Sequence, residues 1–207
     1  GYDSAGIAIS DGRKIRTLKC GGRVKTLENE AENAFLPGTC GIGHTRWATH
    51  GKPDEKNAHP HESKAVILVH NGIIENWAEI KKQLISDGYY FESETDTECA
   101  AHLIDSEFKK TKDPVSAIYS ACEKIRGSYA FAIIFKDFPE EIYAIRKDSP
   151  LIITKAEDGT YLASDIPALL PHGKAFIRPD ENIVCKITKS GAVFVGKDGT
   201  ISTPTAE

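Results

Sequence analysis

The chain has 207 residues, 40% of them hydrophobic and 27% charged, with a formal net charge of −4. That length and apolar content suffice for a substantial core, and a negative balance without any Lys/Arg run argues against a nucleic-acid surface. No apolar stretch is long enough to span a bilayer, and five scattered cysteines without a CxxC pair read as a reduced, cytoplasmic protein rather than a disulfide framework.

The first residues, Ser4-Ala5-Gly6-Ile7-Ala8-Ile9-Ser10, already read as a strand. A natural segment is therefore expected to precede them. Asp11-Gly12 separates that strand, Ala5–Ile9, from a second at Lys14–Lys19. Asp158-Gly159 separates Leu151–Thr154 from Tyr161–Ala163, and Asp198-Gly199 separates Ala192–Val195 from Ile201–Thr203. Both residues of an Asp-Gly pair tolerate positive φ, so each pair predicts a hairpin. Further strands are predicted at Lys64–His70, Tyr129–Phe135, Glu141–Arg146 and Ile183–Ile187.

Three helices are predicted in the middle of the chain. Ile73, Trp77, Ile80, Leu84 and Ile85 share one helical face, ended by Asp87-Gly88. Ala100, Leu103, Ile104 and Phe108 mark a second helix, with Thr95-x-x-Glu98 as its capping box. A third follows Asp113-Pro114, buries Val115, Ile118, Ala121, Cys122 and Ile125, and is closed by Gly127. Strands grouped at both ends with helices grouped between them predict a layered α+β fold, with mostly antiparallel sheets, in one domain over residues 1–207.

Chemistry concentrates in three segments. His44-Thr45-Arg46-Trp47-Ala48-Thr49-His50-Gly51 follows the apolar Gly41-Ile42-Gly43, as a strand end opening into a loop. Its arginine fork suits an anion, most simply a carboxylate. A lone arginine is usually a surface ion-pair partner, but this one is flanked by Trp47, Thr49 and His50 in a glycine-bounded loop. Asn71-Gly72 is a strong turn signal. Between a strand and a helix, it also offers a side-chain amide and an unhindered N–H for an oxyanion hole. Asp96 would serve the helix start as an acid near its positive end, or would hold an ammonium. Together these groups suit both ends of a zwitterionic amino acid.

His59-Pro60-His61 with Cys40 or His50 lacks the spacing of a metal site, so neither a metal nor a cofactor is expected. Each cysteine lies in apolar surroundings, as a core residue does. No nucleophile stands beside a visible base, and there is neither a phosphate loop nor a GxSxG elbow.

Gly1–Ile7, His44–Gly51, Asn57-Ala58-His59-Pro60-His61, Val69–Asn76, Ser93–Glu98 and Leu162-Ala163-Ser164-Asp165 occur in an order that spans nearly the whole chain. In this they resemble the glutaminase, or class II glutamine amidotransferase, domains of the glutamine–fructose-6-phosphate aminotransferases (glucosamine-6-phosphate synthases). Other class II amidotransferases share the Arg46, Asn71-Gly72 and Asp96 positions but differ around Tyr2 and Trp47–His50. The resemblance implies a four-layer αββα N-terminal-nucleophile hydrolase sandwich with two antiparallel sheets. It implies hydrolysis of glutamine through a cysteinyl thioester, with an N-terminal cysteine as nucleophile and its own α-amine as base. By position, Arg46 and Thr49 would hold the substrate α-carboxylate with His50 beside them. Asp96, helped by Gly72, would hold the α-ammonium. Asn71 and Gly72 would form the oxyanion hole, and Trp47 would lie by the mouth.

Against that pattern the chain lacks the N-terminal strand, the helix after it and the cysteine. It also lacks the C-terminal sugar-isomerase domain to which the resemblance implies ammonia is delivered. It is expected to be an N-terminally truncated fragment that is inactive alone, from an enzyme that is a homodimer or larger. The alternative is a degenerate module that binds glutamine without cleaving it.

Overall fold

In the computed structural model, residues 3–46 and 54–204 are described. Strands β1 (Ser4–Ser10) and β2 (Ile15–Gly21) form a hairpin, helix α1 (Val24–Ala34) follows, and β3 (Cys40–Arg46) returns beside β1. Then come β4 (His61–Glu62), β5 (Val66–Ile74), α2 (Trp77–Ser86), α3 (Asp96–Thr111) and α4 (Pro114–Cys122). Next are β6 (Gly127–Phe135), β7 (Ile142–Lys147), β8 (Ile152–Lys155) and β9 (Thr160–Ala163), followed by β10 (Val184–Thr188), β11 (Gly191–Val195) and β12 (Ile201–Ser202). Every pairing between these strands is antiparallel. The orders are β2-β1-β3, β12-β11-β10-β7-β6-β5-β4, and a separate β8-β9 hairpin.

Strand parity builds the layers, because successive side chains point to opposite faces. On the seven-stranded sheet, Val66 and Leu68 of β5, Phe131, Ile133 and Phe135 of β6, and Tyr143 and Ile145 of β7 face α2, α3 and α4. The residues between them, Ile67 and Val69, Ala130, Ala132 and Ile134, Ile142 and Ala144, face the other way. There they meet Ala8 of β1, Ile42 of β3, and Leu151 and Ile153 around β8. Ala5 and Cys20, on the far side of the small sheet, pack on Leu27 of α1. The result is helix, sheet, sheet, helix. Phe131, Phe135 and Ile133 are fully enclosed in the helix-side core. Truncating one of these phenylalanines to alanine would cost about 3–5 kcal/mol.

All three Asp-Gly hairpins form where predicted. The helices differ in their limits. β5 runs on through Asn71-Gly72 to Ile74, paired with β6 along its whole length. The strand-to-helix corner expected at Asn71-Gly72 is therefore a strand interior, and Ile73 belongs to the strand. Only Ile80 and Leu84 of α2 are buried, while Ile85 is exposed. Gly88, at φ +87°, follows the end of α2 as predicted. α4 stops at Cys122, short of Gly127, because Gly127 (φ +120°) opens β6 in register with Ile74. α1 was not expected: Leu27 is its single buried residue, so it carries no apolar stripe to read.

Candidate functional site

A cavity of about 700 Å³ opens between the two sheets, and parity decides what enters it. On β3 the sandwich face carries Ile42, His44 and Arg46, opposite Ala8, Gly6 and Ser4 of β1. On β5 it carries Val69 and Asn71, opposite Ala132 and Ala130 of β6. The alanines are too short to fill the space that larger residues fill elsewhere in the inter-sheet core, so the cavity stays open. His44, Arg46, Asn71, Gly72 and Asp96 all border it, with Leu162, Ala163 and Ser164 of the β9 end on the far wall. Trp47, Thr49 and His50 lie outside the described residues, as do Tyr2 and Gly51.

Arg46 is the last residue of β3 and is buried, 6% exposed. Its register is fixed by pairing with Ser4 and by the Asp3 N–H, which donates to its carbonyl (2.9 Å). Asn71 is exposed to the cavity, and its Oδ1 lies 2.8 Å from His44 Nε2. Gly72 has φ +137°, and a Cβ there would sit 2.2 Å from the Ser128 carbonyl oxygen. That residue must be glycine for two reasons: the backbone region disfavours L side chains, and β6 occupies the space.

Asp96 begins α3. Its Oδ2 accepts from the Ile74 N–H at 2.8 Å, which ties the helix start to the end of β5. Thr95 is the N-cap and accepts from the Glu98 N–H, as a capping box requires. The reciprocal half differs from expectation. Instead of bonding the Thr95 N–H, Glu98 turns further back and accepts from the N–H groups of Glu92 and Ser93 and from the Ser93 hydroxyl. Burial opposes its ionisation, but His102 and those donors outweigh it and hold its carboxyl at about 2.

A group of histidines that residue-type reasoning left unassigned lines the cavity with His44, His59 and His70, and His61 stands behind them. His44 stacks on His59, ring centres 4.2 Å apart, and His59 meets His61 edge-on at 5.0 Å. The His70 N–H donates to His59 Nδ1 (3.3 Å), and the Thr97 hydroxyl lies 3.3 Å from His59 Nε2 and 3.0 Å from His70 Nδ1. His61 Nε2 lies 3.0 Å from the Thr95 hydroxyl. Burial pushes all four imidazoles down: His44 and His59 below the usual range, His61 to about 3 and His70 to about 4. The positive charge of Arg46 adds to this for His44, His59 and His61, while Asp96 works against it at His70. Among the described residues, the site is thus one fixed cation and one carboxylate set among neutral rings. The signal for His44 was available in the sequence, since it stands two residues before Arg46 on the same strand and so on the same face.

None of the five cysteines borders the cavity. Burial pushes the thiols of Cys99, Cys122 and Cys185 up to about 12 and that of Cys40 to about 11, and raises that of Cys20. Cys20, Cys99 and Cys185 are core residues, as their apolar surroundings suggested, and Cys40 and Cys122 are half-buried against the core.

A glutamine amidotransferase domain family matches residues 44–171. The glutamine–fructose-6-phosphate aminotransferase (isomerizing) of Clostridium tetani is 46% identical over 96% of this chain, and that of Thermococcus kodakarensis 42% identical over 93%. The chain spans about a third of the length of these relatives. Among solved structures, glutamine phosphoribosylpyrophosphate amidotransferase from B. subtilis superposes with a TM-score of 0.79 at 26% identity, covering 98% of this chain and 43% of that one. A glutamine aminotransferase class-II domain protein from Silicibacter pomeroyi shares the fold, with a TM-score of 0.65 at 18% identity, over 93% of this chain and 90% of its own. The layered α+β architecture is that of the N-terminal-nucleophile hydrolase amidotransferases.

Proposed function

Because the chain belongs to the glutamine amidotransferase domain family, we propose that its cavity binds L-glutamine and carries out the glutaminase half-reaction, yielding glutamate and ammonia. The observation that carries this reading is the joining of three unlike groups around one cavity: the buried Arg46 guanidinium, the Asn71-Gly72 pair and the Asp96 carboxylate. Arg46, with Thr49 and His50, takes the α-carboxylate in a two-pronged bond. Asp96 takes the α-ammonium through an oxygen not engaged by Ile74, and Gly72 assists it. The side-chain carboxamide then reaches Asn71 and Gly72.

A thiolate attacks the carboxamide carbon, forming the C–S bond and moving charge onto the oxygen. The Asn71 amide and the Gly72 N–H donate hydrogen bonds to that oxygen, and these bonds are stronger in the transition state than in the ground state. The C–N bond breaks, and nitrogen leaves as ammonia with the proton that the base removed from the thiol. Water then cleaves the γ-glutamyl thioester, releasing glutamate and restoring the thiol. The thiol comes from outside these 207 residues, since no cysteine here borders the cavity. An N-terminal cysteine with its α-amine as base satisfies the requirement, because an unperturbed α-amine titrates at roughly 7.7–8.0. In the longer protein, the ammonia passes to a C-terminal sugar-isomerase domain that converts fructose 6-phosphate to glucosamine 6-phosphate, in a cytoplasmic homodimer or larger assembly. The relatives, glutamine–fructose-6-phosphate aminotransferases of which this chain spans about a third, support the coupling to a sugar-phosphate step in the longer protein.

The same lack of a cavity cysteine favours a second reading, a module that binds glutamine without cleaving it. Glutamate release separates the two. The longer protein should produce glutamate and ammonia from glutamine in equal amounts, and this chain alone should produce none. Turnover by the chain alone would make an internal cysteine the nucleophile. Binding without release by the longer protein would establish the non-catalytic module.

A further inference from the structure

Asn71 can serve an oxyanion only if its NH₂ end, not its carbonyl, faces the cavity. The two ends of a carboxamide are nearly the same size, so shape alone does not orient it. Something must hold the carbonyl end. The one side chain in hydrogen-bond contact with that oxygen among the described residues is His44, whose Nε2 is 2.8 Å from Oδ1. A carbonyl oxygen only accepts, so the imidazole must present an Nε2–H.

The surroundings favour that tautomer. Burial keeps the His44 ring neutral, although the bond to Asn71 opposes this. A neutral imidazole has one N–H. The other nitrogen, Nδ1, is buried with no hydrogen-bond partner among the described residues. A proton there would be an unmet donor, and a bare lone pair is the less costly state. The ring is also held in place. It stacks on His59 at 4.2 Å with an interplanar angle of 18°. His59 is fixed at both nitrogens: Nδ1 accepts from the His70 N–H, so its own Nε2–H donates to the Thr97 hydroxyl. The platform is therefore built from the residue before Asn71 and the residue after Asp96.

We propose that His44 is a positioning residue for the glutaminase reaction: it holds the Asn71 carbonyl through Nε2–H and so commits both amide hydrogens to the cavity. The proposal rests on the reading of Asn71 as an oxyanion donor.

The test is a double-substitution cycle in the longer protein, with kcat and KM for glutamine measured for each variant. Asn71→Ala should lower kcat roughly a hundredfold or more. His44→Ala should lower kcat roughly ten- to hundredfold with little change in KM, since it misplaces a group that acts in the transition state. His44→Gln, whose amide nitrogen can take the place of Nε2, should recover part of the loss. The double variant should be no slower than Asn71→Ala alone, because His44 acts through Asn71.

Additive losses, or an unchanged kcat for His44→Ala, would overturn the role of His44 while leaving Asn71 in place. An unchanged kcat for Asn71→Ala would instead overturn the oxyanion reading, and this proposal with it. A readout independent of turnover is the ¹⁵N spectrum of the labelled imidazole. A protonated Nε2 and a bare Nδ1 at His44 support the assignment, and the opposite tautomer contradicts it even if His44→Ala does not fold.

Discussion

Arg46 shows what residue type reveals and what it conceals. Its place beside Trp47, Thr49 and His50 pointed to an anion site, and it does border the cavity, as do Asn71, Gly72 and Asp96. Guanidinium, carboxamide and carboxylate groups suit few roles together, so these residues were legible by type, although Asn71-Gly72 lies inside β5 and not at the corner its turn signal suggested. His44 was legible only as a face-mate of Arg46 on β3, whereas its contact with Asn71 and its stacking on His59 arise from tertiary packing that neighbouring residues do not encode. Arg46→Lys should weaken glutamine binding by about 1.5–3 kcal/mol, since lysine keeps the charge but loses the fork. Calorimetry on both proteins would measure this, and equal affinities would remove Arg46 from the site.

Turn chemistry made the three hairpins readable, because Asp-Gly has a local conformational reason to turn. Helix limits were harder. Ile73 fits the helical period of α2, yet pairing with Ser128 keeps it in β5. Tertiary pairing overrode a local pattern there. α1 was invisible because one buried leucine makes no period. The start of α4 was fully local: Asp113 caps it, accepting from the Ser116 N–H at 2.7 Å with Pro114 in the first turn. Asp113→Ala should therefore lower stability by about 1 kcal/mol and leave glutamine affinity unchanged, since the cap lies outside the cavity lining. Denaturant unfolding alongside ligand titration checks both halves. An affinity loss matching the stability loss would mean that α4 is coupled to the site.

Across the whole molecule, the layer order followed from grouped strands and helices, whereas the depth of the histidine cluster did not. That depth has a pH signature. His70 and His61 are held neutral in the fold, at about 4 and about 3 against an ordinary 6.5. Above pH 6.5 neither state is charged, and the fold keeps its full stability. Below it the unfolded chain takes up protons that the fold refuses, so stability falls as pH drops from about 6.5 towards 4 and 3. For His70 alone the loss is on the order of 3 kcal/mol. Glu98, held at about 2 against 4.5, adds a further loss as pH falls below 4.5. Melting temperature against pH should therefore begin to drop near pH 6.5. A flat profile down to pH 5 would place the histidines in solvent.

The proposed glutaminase chemistry requires the cavity to be a glutamine site with a cation at one end and Asp96 at the other. Titration of the chain with L-glutamine, for the natural protein and for Asp96→Asn, tests this most directly. The natural chain should bind saturably and Asp96→Asn at least tenfold more weakly, about 1.4 kcal/mol or more, because the ammonium loses its counter-charge. Equal affinity of the two proteins, or no binding by the natural chain, would contradict it.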